Sequence, residues 1–289
     1  MSSVAAPVPR RRRSRRKIVR RVALNLTGLL VFAVMVFPVY WMVSTAFKPG
    51  NDVLSYTPKW IPDPTLVNFR DAIGRPYFWD NVKNSLIVVC AVVVASVTLA
   101  FLAALALAKF RFRGQRAFVV LVFAVQMVPL AALIIPLYIM LSRVHQVDTL
   151  TGVIVTYIAF VLPFCVWTLR GFVAAVPKEL EEAAMVDGST RFGAFVRIML
   201  PLVAPGLVAT SIFAFIQAWN EFIFAYILLS SSDKQTVTVW LTSFLGTSRG
   251  TDWGSLMAGA TLTAVPVVVF FVLVHRRIAF GLTAGAVRG

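Results

Sequence analysis

Residues able to do chemistry are scarce in this chain and unevenly placed. Two histidines, His145 and His275, stand alone, and the two cysteines, Cys90 and Cys165, both lie in apolar runs. Neither a metal site nor a disulfide framework has enough ligands. No paired carboxylates and no H-E-x-x-H pattern occur, and the sequence assigns no catalytic residue and no metal ligand. What remains is acidic and polar. Of only 12 Asp and Glu residues among 289, four (Glu179, Glu181, Glu182 and Asp187) fall in the short stretch between Lys178 and Pro201. A second concentration, Gln217, Asn220 and Glu221, interrupts the aromatic run from Phe215 to Tyr226.

The setting of these groups follows from composition. A hydrophobic share of 59%, a charged share of 14% and a mean hydropathy of +0.82 lie far from those of soluble domains, about a quarter of whose residues are charged. This is an integral membrane protein of all-α class. A hydrocarbon layer of about 30 Å takes roughly 20 apolar residues as helix. The sequence offers six such spans: Val22–Phe47, Asn84–Ala108, Ala117–Leu141, Thr151–Ala174, Ala204–Leu229 and Ser255–His275. Residues 1–21 form a basic tail before them and 276–289 a tail after them. The proline-rich connection Lys48–Lys83 reads as an extended loop with room for one short helix.

The net charge of +16 does not point to nucleic acid, because nine of the 28 basic residues crowd between Arg10 and Arg21, directly before the first span. Counted on alternate sides of the spans, Lys and Arg number 20 on the side of the termini and 8 on the other. Both termini are therefore expected in the cytoplasm, together with the acidic stretch. Ser14–Val19 has the look of a twin-arginine export signal, but the apolar run behind it is too long for a signal core, and the first span is expected to stay attached.

Within the spans, Pro129, Pro136, Pro163, Pro205 and Pro266 each remove a backbone donor, a pattern suited to helices that move or line a cavity. A carboxylate at membrane depth costs about 3 kcal/mol on insertion scales, so Glu221 must face the bundle interior, water or a partner. Gln217, Asn220 and Glu221 are candidates for a translocation pathway. The plainer alternative for Glu221 is a structural hydrogen bond to a neighbouring helix.

The acidic stretch reads as two helices. Pro177 suits a first helical position, Glu179, Glu181 and Glu182 suit the positive end of the helix, and Gly188 supplies the stop. Leu180, Ala183 and Ala184 form a narrow face of small apolar side chains that lets another surface approach closely. Ser189 or Thr190 caps a second helix with the stripe Phe192, Phe195, Val196 and Met199, and Pro201 and Pro205 are expected to separate it from the next span.

The spacing E-A-A, three residues, G, nine residues, I-x-L-P is met by Glu182, Ala183, Ala184, Gly188, Ile198, Leu200 and Pro201. In it the chain resembles the permease subunits of binding-protein-dependent ABC importers. Asn84–Leu86, Ala108–Gly114, Trp219–Phe222 and the terminal Gly281–Gly289 are similar to the carbohydrate-uptake branch, especially the smaller six-span permease of maltose-type systems. The resemblance implies a type I importer fold in a bacterial inner or plasma membrane. In such a fold the segment at about 175–203 carries a coupling helix that docks on a cytoplasmic ATPase. It also implies a second permease as heterodimer partner, two ATPase subunits that hold ATP and Mg, an extracytoplasmic solute-binding protein and a sugar as cargo. Consistently, this chain has no G-x-x-x-x-G-K-[ST] phosphate loop, and no cofactor is expected on it. An ion-coupled secondary transporter and a non-transporting membrane scaffold are the other classes compatible with a six-span chain.

Overall fold

A computed structural model describes residues 15–246 and 250–286. Of the charges counted above, Arg10 to Arg13, Arg249 and Arg288 lie outside the described residues. Helix α1 spans Arg15–Ala46, so the basic tail passes into helix before Val22. Two short helices, α2 (Gly50–Val53) and α3 (Val67–Gly74), punctuate the long connection, and α4 runs Phe78–Lys109. Then come α5 (Gln115–Gln126), α6 (Leu130–Arg143), α7 (Leu150–Ala174), α8 (Lys178–Val186) and α9 (Arg191–Ala194). A π-wound turn over Phe195–Met199 leads from α9 into α10 (Leu200–Asn220). The rest is α11 (Ile223–Leu228), α12 (Val237–Trp240), a 3-10 turn at Leu241–Phe244 and α13 (Trp253–Ala286). Five helical stretches are long and apolar enough to cross a membrane, and α5 with α6 makes a sixth span if that bent pair is counted as one. The protein is the expected all-helical polytopic membrane protein.

The bundle is built around α4, which packs along α7 and against α10. Lipid tails are as apolar as leucine, so these helices associate through close packing, which small side chains permit. On α4 the buried line Ser96, Ala100 and Ala104 recurs every four residues, and on α10 Gly206, Thr210, Ala214 and Ala218 do the same. At Gly206 α10 lies close on α7: a Cβ there would stand 2.4 Å from the Phe172 ring. Among the side chains of this interior are Val92, Val153, Tyr157, Leu169 and Val203, all essentially inaccessible. Helix α1 lies at the rim against α13, and its apolar side chains are exposed for most of its length.

Two spans depart from expectation. The third is not one helix: α5 and α6 meet at 100° across Met127–Pro129. Pro129 stands as the N-cap of α6 with φ −59° and ψ 124°, a non-helical conformation that ends α5 instead of kinking it. The second departure is at Pro201 and Pro205, which do not separate the short second helix from the fifth span; helix continues from Arg191 to Asn220. The wide turn at Phe195–Met199 explains this. Leu200 N–H there reaches back to Phe195 C=O, one residue further than in an α-helix, which gives the ring of Pro201 the room that a tighter turn would deny it. The same span stops at Asn220, and α11 follows only after a break at Glu221 and Phe222. Pro38, not singled out above, also lies within a spanning helix.

The loops sort to two ends of the bundle. At one end Lys109 meets Glu181. At the other, Asn84 Nδ2 donates to the carbonyls of Asp233 (2.8 Å) and Gln235 (3.2 Å), and Arg75 Nη1 donates to Ser243 C=O at 2.7 Å. Asp148 knots this second end. Its carboxylate accepts from Ser230 N–H and Ser231 N–H at 2.9 Å, Ser231 O–H at 2.6 Å and Lys234 Nζ at 3.0 Å. Burial alone would raise its pKa, but the donors on Ser231, Lys234 and Ser230 outweigh it and hold the carboxyl well below the usual carboxylate range. A depressed carboxyl contributes stability that is complete above its unfolded pKa of about 3.9 and is lost as pH falls toward the folded value. Asp148→Ala is accordingly expected to lower thermal stability in detergent at pH 7 by about 1.5–3 kcal/mol, with the gap from wild type closing progressively below pH about 4. Melting curves across that range check it.

Candidate functional site

The arm α8 is defined at both ends by local chemistry. Pro177 stands as its N-cap, one place earlier than expected, and Glu179 and Glu181 occupy the first turn, where negative charge meets the positive helix end. At the far end Gly188 adopts φ +90°, a left-handed conformation that costs other residues about 1–2 kcal/mol. The reversal lets Ser189 N–H donate to Ala184 C=O (2.9 Å) and Gly188 N–H to Met185 C=O (3.1 Å), the paired bonds of a Schellman stop. Thr190, rather than Ser189, caps the next helix, its hydroxyl accepting from Gly193 N–H at 3.0 Å.

The arm is two-sided. Its inner side holds Ala184, which is buried, and Glu181, whose Oε1 lies 2.5 Å from Lys109 Nζ at the end of α4. Their side chains are only 27% and 15% exposed. This pair borders a cavity of about 300 Å³ that Lys178, Glu182 and Arg191 also line. The outer side presents Leu180, Ala183 and Val186, with Glu182 beside them, all exposed. The expected face of Leu180, Ala183 and Ala184 is thus split, because Ala184 turns inward. The stripe on the second helix divides likewise: Met199 is buried and Phe195 faces Phe101 of α4 at 6.0 Å, while Phe192 and Val196 are exposed. Ile198 lies in the π turn and Leu200 and Pro201 open α10, so the motif's second half forms the root of the arm.

The three polar residues of the fifth span come to different places. Glu221 sits in the helix break, and its carboxylate folds back over the start of α11, Oε1 accepting Phe224 N–H at 2.9 Å and Oε2 Ala225 N–H at 3.2 Å. The hydroxyl of Tyr157 on α7 donates to the same carboxylate, and Thr238 Oγ1 donates to the Glu221 carbonyl at 3.0 Å. A hydrogen-bonded, partly buried carboxylate at a helix start is a joint between α7, α10 and α11. Asn220 Nδ2 donates to Ile216 C=O of its own helix at 2.9 Å. Gln217 is exposed on the face of α10 that looks toward the α5–α6 elbow and lines a cavity of about 280 Å³ there.

Three participants escaped the sequence reading. Gln126, an amide inside an apolar span, gave the same signal as Gln217 and lines the same cavity. Tyr157 and Lys109 gave none, since each meets its partner only through packing of distant segments. Among the described residues no cluster of His, Cys, Asp and Glu is placed to hold a metal.

A lipid-spanning helical bundle with a braced helix projecting from one end is the architecture of an importer permease, and the comparisons agree. Residues 96–283 match the family "Binding-protein-dependent transport system inner membrane component", and the chain belongs to that family. It is 46% identical to the diacetylchitobiose uptake system permease protein DasC of Streptomyces coelicolor, over 95% of this chain and 100% of that protein. It is 32% identical to the trehalose/maltose transport system permease protein MalG of Thermococcus litoralis, over 95% of this chain and 99% of the other. Among solved structures, a chain of a bacterial ABC transporter that imports the polysaccharide alginate superposes with a TM-score of 0.77. That match covers 93% of this chain and 99% of the other at 20% identity, and it is a likeness of fold.

Proposed function

We infer that this chain is a transmembrane subunit of an ATP-driven sugar importer, pairing with a second permease and coupled through α8 to a separate ATPase pair. The observation that carries the reading is the two-sided arm. Its inner side is tied to α4 by Glu181 and Lys109, and its outer side offers Leu180, Ala183 and Val186 to a partner. Such a helix passes a push to the bundle only when held on one side and bare on the other. The end of the bundle that carries α8, with its Lys and Arg excess, faces the cytoplasm of a bacterial inner or plasma membrane, as do both termini. An extracytoplasmic binding protein delivers the sugar at the opposite end, where Asp148 gathers the loops. ATP and Mg belong to the ATPase subunits.

The cargo class rests on permeases similar in sequence, whose names carry diacetylchitobiose and trehalose or maltose. Alternating access needs two packings of the bundle close in energy, and moving the population from 1:99 to 99:1 takes about 5.5 kcal/mol of differential binding. Closure of the ATPase pair on the docked arms supplies it. In proteoliposomes holding the complete importer and its binding protein, uptake of one of these disaccharides is expected to require internal ATP and to persist when ionophores collapse the proton and sodium gradients. Uptake that stops with the ionophore while ATP remains would replace this reading with an ion-coupled carrier.

A further inference from the structure

The elbow between α5 and α6 leaves a cavity of about 280 Å³ between those helices, α7 and α10. Gln126 and Gln217 line it, with Phe160, Phe164 and Phe213. A smaller recess of about 80 Å³ adjoins it, sharing Leu130, Phe160 and Gln217 and ending on Tyr157 and Glu221.

The chemistry of the wall narrows the occupant. Neither Gln126 nor Gln217 has a hydrogen-bond partner among the described residues, and both are exposed within spanning segments. An amide left bare to hydrocarbon costs about 2–7 kcal/mol, so this wall is made for polar company. That company is uncharged. No Lys or Arg lines either cavity, and the one carboxylate there, Glu221, is already occupied by Tyr157 and two backbone N–H groups. Aromatic rings share the lining with the amides: Phe164 and Phe213 stack at 3.7 Å, and Phe160 lies against Phe224 at 4.7 Å. Amides and aromatic rings in one lining match a molecule with hydroxyls on its rim and C–H groups on its face.

We propose that this cavity is a subsite for one ring of a neutral saccharide in transit, Gln126 and Gln217 bonding its hydroxyls and Phe164 and Phe213 meeting its C–H face. The proposal rests on the sugar-importer reading and adds that this subunit itself touches the cargo. A volume at the lower end of small-molecule sites holds one ring, so a longer sugar passes ring by ring.

The test uses the complete importer with maltose, trehalose and diacetylchitobiose as probes, in a Cys90→Ser background, since Cys90 is exposed and Cys165 buried. Gln126→Cys and Gln217→Cys are labelled with a small neutral methanethiosulfonate, with Leu121→Cys on the exposed surface of α5 as control. The transported sugar is expected to slow labelling at 126 and 217 and leave position 121 unchanged. In parallel, Gln217→Leu is expected to raise the half-saturating sugar concentration by about three- to tenfold, or reorder preference among the three sugars, with Gln217→Asn closer to wild type. The proposal falls if ATP-driven uptake is intact while both cysteines label equally with and without sugar. It also falls if they label only when the second permease is removed, which would mean that the partner fills the cavity, or if Gln217→Leu behaves as wild type. Absence of ATP-driven uptake of all three sugars would instead remove the importer reading for these cargoes, and the subsite with it.

Discussion

An Ala183→Asp chain is expected to reach the membrane and fold, yet to lose ATP-driven uptake and release the ATPase on purification. Ala183 lies on the outer side of α8 and touches nothing that its own fold needs, so the added carboxylate remains hydrated in the isolated chain. In the docked complex the same carboxylate is buried without a partner, at a cost of about 2–5 kcal/mol, which is roughly thirtyfold or more in affinity. Ala184→Asp makes the contrast. That side chain is buried against the chain's own bundle, so its replacement is expected to lower expression and melting temperature as well as uptake. Gly188 gives a graded series at the end of the arm. A Cβ there meets nothing within 4 Å, so Gly188→Ala suffers only the left-handed backbone cost and keeps partial uptake. Gly188→Pro also loses the N–H that donates to Met185 and cannot hold φ +90°, so the stop is destroyed. The measurements are uptake, co-purification of the ATPase, and melting temperature. Wild-type uptake by Ala183→Asp would remove α8 as the coupling element.

How far these features could be read in the sequence depends on the range of the forces that make them. The arm was legible almost to the residue, because Pro177, the early glutamates, Gly188 and the Thr190 cap all act over one or two turns. The four-residue recurrence of small side chains on α4 and α10 is equally local, although which neighbour each would meet is not. Proline was the weaker guide. Pro163 and Pro266 stay inside helices, Pro129 ends one, and Pro201 is absorbed by a π turn, and the difference lies in whether the surrounding helices allow the backbone to widen or turn. Glu221 shows the same limit: its type and depth announced a partner, but Tyr157 is reached only through the packing of α7 on α10.

The contact between Lys109 and Glu181 was hidden for that reason too, and its removal is expected to uncouple the importer without dismantling it. The pair stabilises the orientation of α8 on α4, not the bundle, so single neutralisations are expected to leave insertion and basal ATP hydrolysis near wild type while the sugar moved per ATP falls. The two variants should differ. In Lys109→Gln the freed Glu181 still has Lys178 and Arg191 around the same cavity, and part of the orientation is regained. In Glu181→Gln, Lys109 is left beside those two cations with only Glu182 to offset them, so this variant should lose more, by about 1–3 kcal/mol of arm orientation against a smaller loss for Lys109→Gln. The reversed pair, Lys109→Glu with Glu181→Lys, restores the contact and is expected to recover most of the coupling that either reversal alone abolishes. A double-mutant cycle on the ratio of sugar imported to ATP hydrolysed isolates the pairwise contribution. Additive losses in that cycle, with no recovery on reversal, would show that α8 is held in place by Ala184 and the Phe195 contact alone.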